Sequence, residues 1–433
     1  MLREGAVSRF AGAIRCATVS TTGDGGFRSV SEFGRLHSHL RDSYPIIHRE
    51  FPPVLPGGMS LLYLLPGRDA KLKPLLLSAH QDVVPAGDTD RWSYPPFSGV
   101  VSDGRIWGRG TVDYKIGLCG MLEAVEGLLR EGKRPARGLV LAFGHDEEVG
   151  GEEGAEAITS ALERDGVRCG MALDEGGYIY SYPWADGPVA VVAVAEKGYA
   201  TVRLVARGRQ GHASVPPDET AIDALSRAIC ALEDAPMDPV VSPPVERLLA
   251  GTFEGDGVER TDPARWPEAN ALLRTTSAPT VIRGGASENV LPGRAEAALN
   301  FRTVPGQTSS DVMDYVRKTI HGMPVTASLD RGPSLSEPSR MAPARGEMWE
   351  ALSNAIAGSF RGIPVLPGVF PAATDSRRYR RVCDAVYRFV PAHLGPKGIG
   401  MLHSVDESVS VDDYMGAVRF YTALVRAVCG PMS

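Results

Sequence analysis

The sequence lacks the features that mark a membrane, secreted or redox protein. It contains no run of about 18 apolar residues, and its N-terminal segment has no apolar core of signal-peptide length. None of its six cysteines forms a CxxC pair, so neither a redox motif nor a structural zinc knuckle is visible. Scattered single cysteines are typical of a reducing compartment. We therefore expect a cytoplasmic protein that binds no membrane.

The sequence also lacks an excess of basic residues. It has 46 basic and 52 acidic residues, a net charge of −6. This mild acidity argues against a nucleic-acid partner, which usually requires a basic face. The 433 residues, 43% of them apolar, predict a globular protein with a sizeable core. At roughly 100–200 residues per domain, that length predicts two or three domains.

The first part of the chain alternates strand-like and helix-like patterns. Short apolar runs at 73–80, 138–144 and 170–174 predict buried strands, and helical spacing over 114–131 predicts a helix between the first two. Strands that alternate with helices are typical of a mostly parallel sheet with helices on both faces. We expect an α/β catalytic domain of this kind, formed by residues 1–195 and 335–433.

The pattern changes near Glu196, where an inserted domain is predicted over 196–334. The order strand, helix, strand, strand, helix, strand indicates a ferredoxin-like α+β domain with an antiparallel sheet. Its predicted elements are strands at 198–206, 279–283 and 294–303 and helices at 218–233 and 308–321. The irregular stretch 236–278 is interpreted as an elaboration of this inserted domain.

Polar side chains follow the predicted strands at the points where the strands end. Ligands in open α/β sheets collect at the carboxyl ends of strands. The candidates are His80 and Asp82, Asp113 before a helix, Glu147 and Glu148, Asp174, and the late His403. Together they predict a metal site.

Each of these signals has an ordinary structural explanation when it is taken alone. His80 and Asp82 could be a hydrogen-bonded loop pair, and Asp113 could be a helix N-cap. Glu147 and Glu148 could form an acidic turn, although adjacent carboxylates repel unless a cation compensates. Mixed histidine and carboxylate ligands suit two Zn²⁺ ions, with Mn²⁺ or Co²⁺ as alternatives, and one shared Asp can join ions about 3.5–4 Å apart.

The ordered motifs resemble those of the M20 zinc metallopeptidases. They are LLLSAHQDVVP, DGRIWGRGTVDYK, FGHDEEVGG, LDEGG, EKGY, GHASVP, NVLPG, NFRTVPGQ and TDSRRY, followed by His403. The resemblance covers about residues 50–428. Within the family, the chain looks most like the carboxypeptidase S and N-fatty-acyl-amino-acid hydrolase branch.

The resemblance implies a division of labour among the metal ligands. His80 and Asp174 would bind one zinc ion, Glu148 and His403 would bind the other, and Asp113 would bridge them. It further implies a cis peptide bond between Asp113 and Tyr114.

Two acidic residues beside the ligands receive catalytic roles from the same resemblance. Asp82 would orient His80. Glu147 would act as the general base, taking a proton from the attacking water and passing it to the leaving amine.

The resemblance also implies roles for four residues outside the metal site. His212 would stabilise the oxyanion, often from the neighbouring subunit of a dimer formed through the inserted domain. Asn289 and Arg302 would contact the substrate, and Arg302 suits a carboxylate, although a salt bridge within its strand is the alternative. Arg377 is a further candidate for the carboxylate.

The function expected from the resemblance is hydrolysis of the amide bond of N-acyl amino acids or of small peptides with a free carboxylate. A strict dipeptidase or carboxypeptidase is the alternative within the same chemistry. A two-metal phosphoesterase would use similar ligands, but the sequence has no visible phosphate cradle. A non-catalytic metal-binding regulator would be expected to have lost the base or a ligand, and all these positions are occupied.

Overall fold

The computed structural model describes residues 2–21, 27–132, 134–253, 266–332, 334–394 and 398–430. The helices are α1 Leu2–Ile14, α2 Val30–Ser43, α3 Pro45–Glu50, α4 Lys115–Arg130, α5 Ala155–Arg164, α6 Ala221–Asp234, α7 Pro243–Ala250, α8 Pro267–Leu273, α9 Ser309–Thr319, α10 Glu347–Ser359, α11 Ser376–Tyr379 and α12 Val411–Cys429. The strands are β1 Ser20–Thr21, β2 Phe27–Arg28, β3 Leu61–Leu65, β4 Leu75–His80, β5 Val100–Ser102, β6 Arg105–Trp107, β7 Leu139–Gly144, β8 Cys169–Asp174, β9 Ile179–Tyr180, β10 Val189–Glu196, β11 Gly198–Arg207, β12 Gly211–His212, β13 Thr276–Gly284, β14 Val290–Leu291, β15 Arg294–Thr303, β16 Val325–Leu329, β17 Val365–Phe370, β18 Cys383–Arg388, β19 His393–Leu394 and β20 Ser408–Ser410.

The large sheet has the order β19-β9-β10-β18-β8-β4-β7-β3, with β17 paired to β10. The central neighbours β18, β8, β4 and β7 are parallel, as the buried apolar runs predict. The pairings β3–β7, β9–β10 and β10–β18 are antiparallel, so the sheet is mixed away from its centre.

Helices cover both faces of this sheet because successive residues of a buried strand point to opposite sides. On β4, Leu75 and Leu77 pack into a core with α4, α10 and α12, whereas Leu76 packs into a second core with α5. Both faces of the strand are therefore apolar, and the polar residues that follow it lie at the sheet edge.

The inserted sheet has the order β13-β15-β11-β16, and all its pairings are antiparallel. Helices α6 and α9 pack on one face and form a separate core with it. Each of these two helices begins with a capping box, at Thr220 and at Thr308. The ferredoxin-like architecture is confirmed, and the limits 1–195 with 335–433 and 196–334 stay a prediction.

Two helices of the segment 236–278, α7 and α8, pack on the large sheet, whereas Met237 and the start of β13 belong to the inserted domain. Val245 and Leu248 of α7 and Leu272 and Leu273 of α8 belong to the core of the large sheet. Their burial there is the physical reason for the difference, because an apolar helix face packs on whichever apolar surface it reaches. Residues 254–265 of this segment lie outside the described residues.

Among the described residues, no helix combines the length and the apolar character that crossing a membrane requires.

Candidate metal centre

The carboxyl ends of β4, β7 and β8 lie side by side because these strands are parallel neighbours. His80 is the last residue of β4, and Glu147 and Glu148 follow β7 in a short turn. Asp174 is the last residue of β8, so Glu175 is the first residue beyond it. The fold thus gathers at one edge residues that are far apart in the chain.

Two groups of possible metal ligands share Asp113. In the first, His80 Nε2 lies 3.2 Å from Asp113 Oδ1 and 3.6 Å from Glu175 Oε2. In the second, His403 Nε2 lies 2.9 Å from Asp113 Oδ2 and 3.2 Å from Glu148 Oε2. In each group the ligand atoms lie within 4.8 Å of one another. Asp113 therefore presents one oxygen to each group, which is the arrangement of a bridging carboxylate.

The structure brings Glu175, not the predicted Asp174, to His80. Asp174 ends β8 opposite Arg388 in the neighbouring strand, and it belongs to neither ligand group. Burial and the charge of Glu196 raise the pKa of Asp174, while Arg388 opposes that rise. Adjacent residues of an extended chain point to opposite sides, so only one member of this acid pair can face His80.

Asp82 contacts His80 mainly through its backbone. His80 Nδ1 lies 2.9 Å from the Asp82 carbonyl oxygen and 3.5 Å from the carboxylate. The Asp82 carboxylate instead accepts the backbone N–H groups of Glu147 and Glu148, each at 3.2 Å. Asp82 thereby connects the strand end that carries His80 to the turn that carries the acidic pair.

Glu147 lies beside both ligand groups. Burial raises the pKa of its carboxyl well above the usual value, and the charges of Glu175 and Glu148 add to the rise, while His80 lowers it. A carboxyl with a raised pKa is suited to both accepting and returning a proton.

The donor set fits a pair of cations. The Asp113, Glu148 and Glu175 carboxylates are buried together, and among the described residues their ion-pair partners are His80 and His403 alone. Hydrogen bonds to Asp113 and Glu148 raise the pKa of His403 to about 10. Within the described part of the chain, Glu148 Oε1 is buried and has no hydrogen-bond partner. Clustered carboxylates of this kind need positive charge, which divalent ions supply.

The backbone at Asp113 agrees with a prediction from the sequence. The Asp113–Tyr114 peptide bond is cis, as the resemblance implied. The Tyr114 hydroxyl lies 2.7 Å from that of Tyr421 in the core beneath the site. The Tyr114 hydroxyl thus lies in the core, and its ring lies 6.2 Å from the ring of His80.

The family named Peptidase family M20/M25/M40 matches residues 76–427. The chain belongs to this family. It is 34% identical to "Probable carboxypeptidase S-like 2" of Dictyostelium discoideum, with 91% of this chain and 79% of that protein covered. It is 34% identical to "N-fatty-acyl-amino acid synthase/hydrolase PM20D1" of Mus musculus, with 96% and 86% covered. The resemblance drawn from the motifs is confirmed, and it places this M20 chain among the metallopeptidases and related hydrolases.

A solved structure has the same fold as this M20 chain. The M20 family metallo-carboxypeptidase Sso-CP2 from Sulfolobus solfataricus superimposes with a TM-score of 0.72, covering 98% of this chain and 99% of that one. At 18% identity the likeness concerns the fold alone. It confirms the α/β architecture with an inserted domain.

Two of the predicted residues lie together on an arm of the inserted domain, formed by the paired strands β12 and β14. His212 in β12 pairs with Val290 in β14, and the N–H of Ala213 donates to the Asn289 carbonyl at 3.0 Å. Both His212 and Asn289 are exposed. His212 Nδ1 accepts a hydrogen bond from the Ser214 amide at 3.2 Å. Neither residue is a member of the ligand groups.

Arg302 lies on β15, near the connection between the two sheets. Its guanidinium stacks on Tyr199, 4.5 Å from the ring centroid, and Nε donates to Asn300 at 3.0 Å. Among the described residues, Arg302 forms no salt bridge. The alternative prediction, a salt bridge within its strand, is therefore not found among them. Burial lowers the pKa of Arg302, and it lowers the pKa of Lys197 to about 7, a shift to which the charge of Arg302 adds.

Arg377 lies behind the acidic turn. Its Nη2 donates to the Gly150 carbonyl at 3.3 Å, and the neighbouring Arg378 donates to the same oxygen at 2.6 Å. The pair therefore supports the backbone just beyond Glu148.

The prediction from motifs missed Glu175, and it gave no role to Glu407 or Arg109. The LDEGG motif contains both Asp174 and Glu175, and its sequence does not show which of these two acids faces His80. Glu407 follows His403 by four residues, and Arg109 precedes Asp113 by four, so both stand close to ligands in the chain.

Proposed function

We propose that this chain is a two-metal hydrolase that cleaves the amide bond of N-acyl amino acids or of small peptides with a free carboxylate. The observation that carries the proposal is the division of the Asp113 carboxylate between two ligand groups with Glu147 beside them. The names of the similar proteins, a probable carboxypeptidase and an N-fatty-acyl-amino acid synthase/hydrolase, support an amide substrate.

Two zinc ions fit the mixed histidine and carboxylate donors, with Mn²⁺ or Co²⁺ as alternatives. His80 and Glu175 would hold one ion, His403 and Glu148 would hold the other, and Asp113 would bridge them. When bound, the ions polarise the substrate carbonyl and lower the pKa of a nearby water toward about 7. This assignment replaces Asp174 with Glu175 as a ligand.

Glu147 takes the proton of the attacking water and returns it to the leaving amine. Desolvation of its carboxyl supports this role, because a raised pKa makes the carboxylate a stronger base toward the attacking water than an ordinary, fully hydrated glutamate. Asp82 holds the amide groups of Glu147 and Glu148 and so sets the direction of the base. His212 would add a hydrogen bond to the oxyanion, and Arg302 would select the free carboxylate, with Asn289 and Arg377 as further substrate contacts.

A largely apolar cavity next to the ligands supports an acyl group on one side of the scissile bond. It has a volume of about 330 Å³ and begins at Gly176, the residue after Glu175. Its lining includes Tyr180, Tyr182, Leu248 of α7 and Leu272 of α8, together with one acidic residue, Glu268. Apolar walls favour an alkyl or aromatic acyl group over the charged amino terminus of a dipeptide.

The test is a substrate panel with zinc present. N-acyl amino acids of increasing chain length, dipeptides and p-nitrophenyl phosphate are compared by kcat/KM, and the N-acyl amino acids are expected to lead. Faster cleavage of the dipeptides would favour a strict peptidase, and faster cleavage of the phosphate ester would contradict the amide chemistry. Chelation is expected to abolish activity, with zinc restoring it.

A matched pair of variants tests the cavity within the same panel. Ala271 lines the cavity from α8, whereas its neighbour Asn270 does not. Ala271→Phe is expected to lower kcat/KM for long acyl groups and to spare short ones, and Asn270→Phe is expected to spare both. Equal effects of the two variants on kcat/KM would contradict the proposal that the acyl group binds in this cavity.

We also propose a homodimer formed through the inserted domain. The edge strand β13 exposes Val281 and Ile282, at 46% and 63% of their surfaces, and an exposed apolar edge strand favours pairing with another chain. A dimer would also provide the route by which the exposed His212 reaches a metal centre. Light scattering that gives the mass of a single chain would contradict this proposal.

A further inference from the structure

The loop that ends at Asp113 is held by one buried carboxylate, that of Glu407, which is 1% exposed. Glu407 Oε1 accepts the amide N–H groups of Val112 at 2.8 Å and Asp113 at 3.2 Å. Its Oε2 accepts the amide of Gly110 at 3.0 Å and Nη1 of Arg109 at 2.7 Å. Four donors from one short loop thus converge on a single side chain.

Arg109 extends this contact to the other ligand loop. Its Nη2 donates to the carbonyl oxygen of His403 at 3.0 Å, and its guanidinium lies over the Trp92 ring. His403 has a φ of +61°, a left-handed conformation that a residue other than glycine keeps only where its surroundings impose it. The Arg109 contact is one such constraint.

Strand pairing brings Glu407 to this position. Strand β20 is antiparallel to β6, with Ser408 opposite Trp107, so the residue before β20 faces the residues after β6. The Glu407 carbonyl accepts the N–H of Gly108 at 2.9 Å. The backbone therefore delivers the Glu407 side chain into the loop that carries Asp113.

We propose that Glu407, together with Arg109, is a positioning residue that sets the distance between the bridging ligand Asp113 and the ligand His403. The inference rests on the proposed function, in which both of these residues bind zinc. Ligands from two separate loops form a tight site only if something removes their relative freedom. Loss of such a supporting contact commonly costs about 10–100-fold in metal affinity.

Glu407→Gln tests the proposal with little change in side-chain volume. The amide replaces one acceptor oxygen with a donor, which must face either the backbone N–H groups or the Arg109 guanidinium. Zinc-free protein is titrated with Zn²⁺ against a chromophoric chelator, so that affinity is measured without any assay of turnover. We expect the variant to bind zinc at least tenfold more weakly than the wild type.

Glu126 offers a matched control within the same domain. It is a buried glutamate on α4 that accepts the amides of Ile46 and Ile47 at 3.0–3.1 Å. Glu126→Gln also introduces an amide donor facing backbone N–H groups, but it contacts no metal ligand. It is expected to lower the melting temperature and to keep zinc affinity within about twofold of the wild type.

The outcomes separate this inference from the proposed function. A wild-type chain that takes up no zinc would overturn both. Two zinc equivalents in the wild type, with Glu407→Gln binding zinc as tightly as Glu126→Gln, would overturn the positioning role alone.

If Glu407→Gln fails to fold, Arg109→Lys takes its place. Lysine keeps the positive charge facing Glu407 but loses the guanidinium fork that also reaches the His403 carbonyl. Wild-type zinc affinity in Arg109→Lys would likewise overturn the role.

Discussion

The large sheet and the inserted domain differ in where they place their predicted site residues. At the edge of the large sheet, the fold draws His80, Asp113, Glu148 and His403 from four distant segments into two groups that share one carboxylate. On the inserted domain, His212 stays exposed on a short arm outside those groups. The carboxyl ends of neighbouring parallel strands lie side by side within one chain, whereas the proposed role of His212 requires a further contact, which a second chain would provide.

The largest expected effect lies on the sheet side of this comparison. Glu147→Gln removes the general base and leaves the ligand groups intact, so kcat is expected to fall by about 10²–10⁴-fold with zinc content unchanged. Steady-state kinetics beside metal analysis provide the measurement. Glu152→Gln, at an exposed glutamate five residues further along the chain, is the control. Wild-type kcat in Glu147→Gln would remove Glu147 from the chemistry.

The next prediction separates the two acids that follow one another at the end of β8. Glu175→Ala is expected to lose zinc from the His80 side, because it removes one of three ligands from that group. Asp174→Asn is expected to keep both zinc equivalents. Metal analysis after dialysis against a weak chelator distinguishes the two variants. The reverse result would restore Asp174 as the ligand.

On the inserted domain, His212→Ala is expected to lower kcat by about 10²–10³-fold, the usual cost of losing one oxyanion donor. Mixing it with Glu147→Gln tests where the histidine acts. If His212 serves the partner subunit, the mixed dimer regains activity, because one of its sites has both Glu147 and His212. Mixtures without any recovery would place the histidine within its own chain or outside catalysis.

The smallest expected effect concerns the substrate carboxylate. Arg302→Lys keeps the charge but loses the planar fork, so KM is expected to rise about tenfold with kcat little changed. Arg203→Lys is the control, since Arg203 lies on the neighbouring strand and pairs with the half-exposed Asp330. Equal KM values in the two variants would exclude Arg302 from carboxylate binding.

Strand ends and their polar residues were readable from the sequence because apolar runs and their bounds are local patterns. The run 73–80 corresponds to β4, and the helix over 114–131 corresponds to α4. The packing of α7 and α8 was not readable, because an amphipathic helix face does not specify which of two apolar surfaces it covers. The choice between Asp174 and Glu175 was equally hidden, since a shift of one residue reverses the side to which a side chain points.

The sequence by itself determined the fold class, the family and the residue types from which a metal centre can be built. Apolar runs specify buried strands, and ordered motifs specify ancestry. Only the tertiary structure decided which carboxylate faces His80, and that Glu407 and Arg109 join the two ligand loops. Those decisions depend on strand pairing, such as that of Ser408 with Trp107, which brings together segments about 300 residues apart in the chain. No local pattern encodes such a contact, because its energy arises only when the chain has folded.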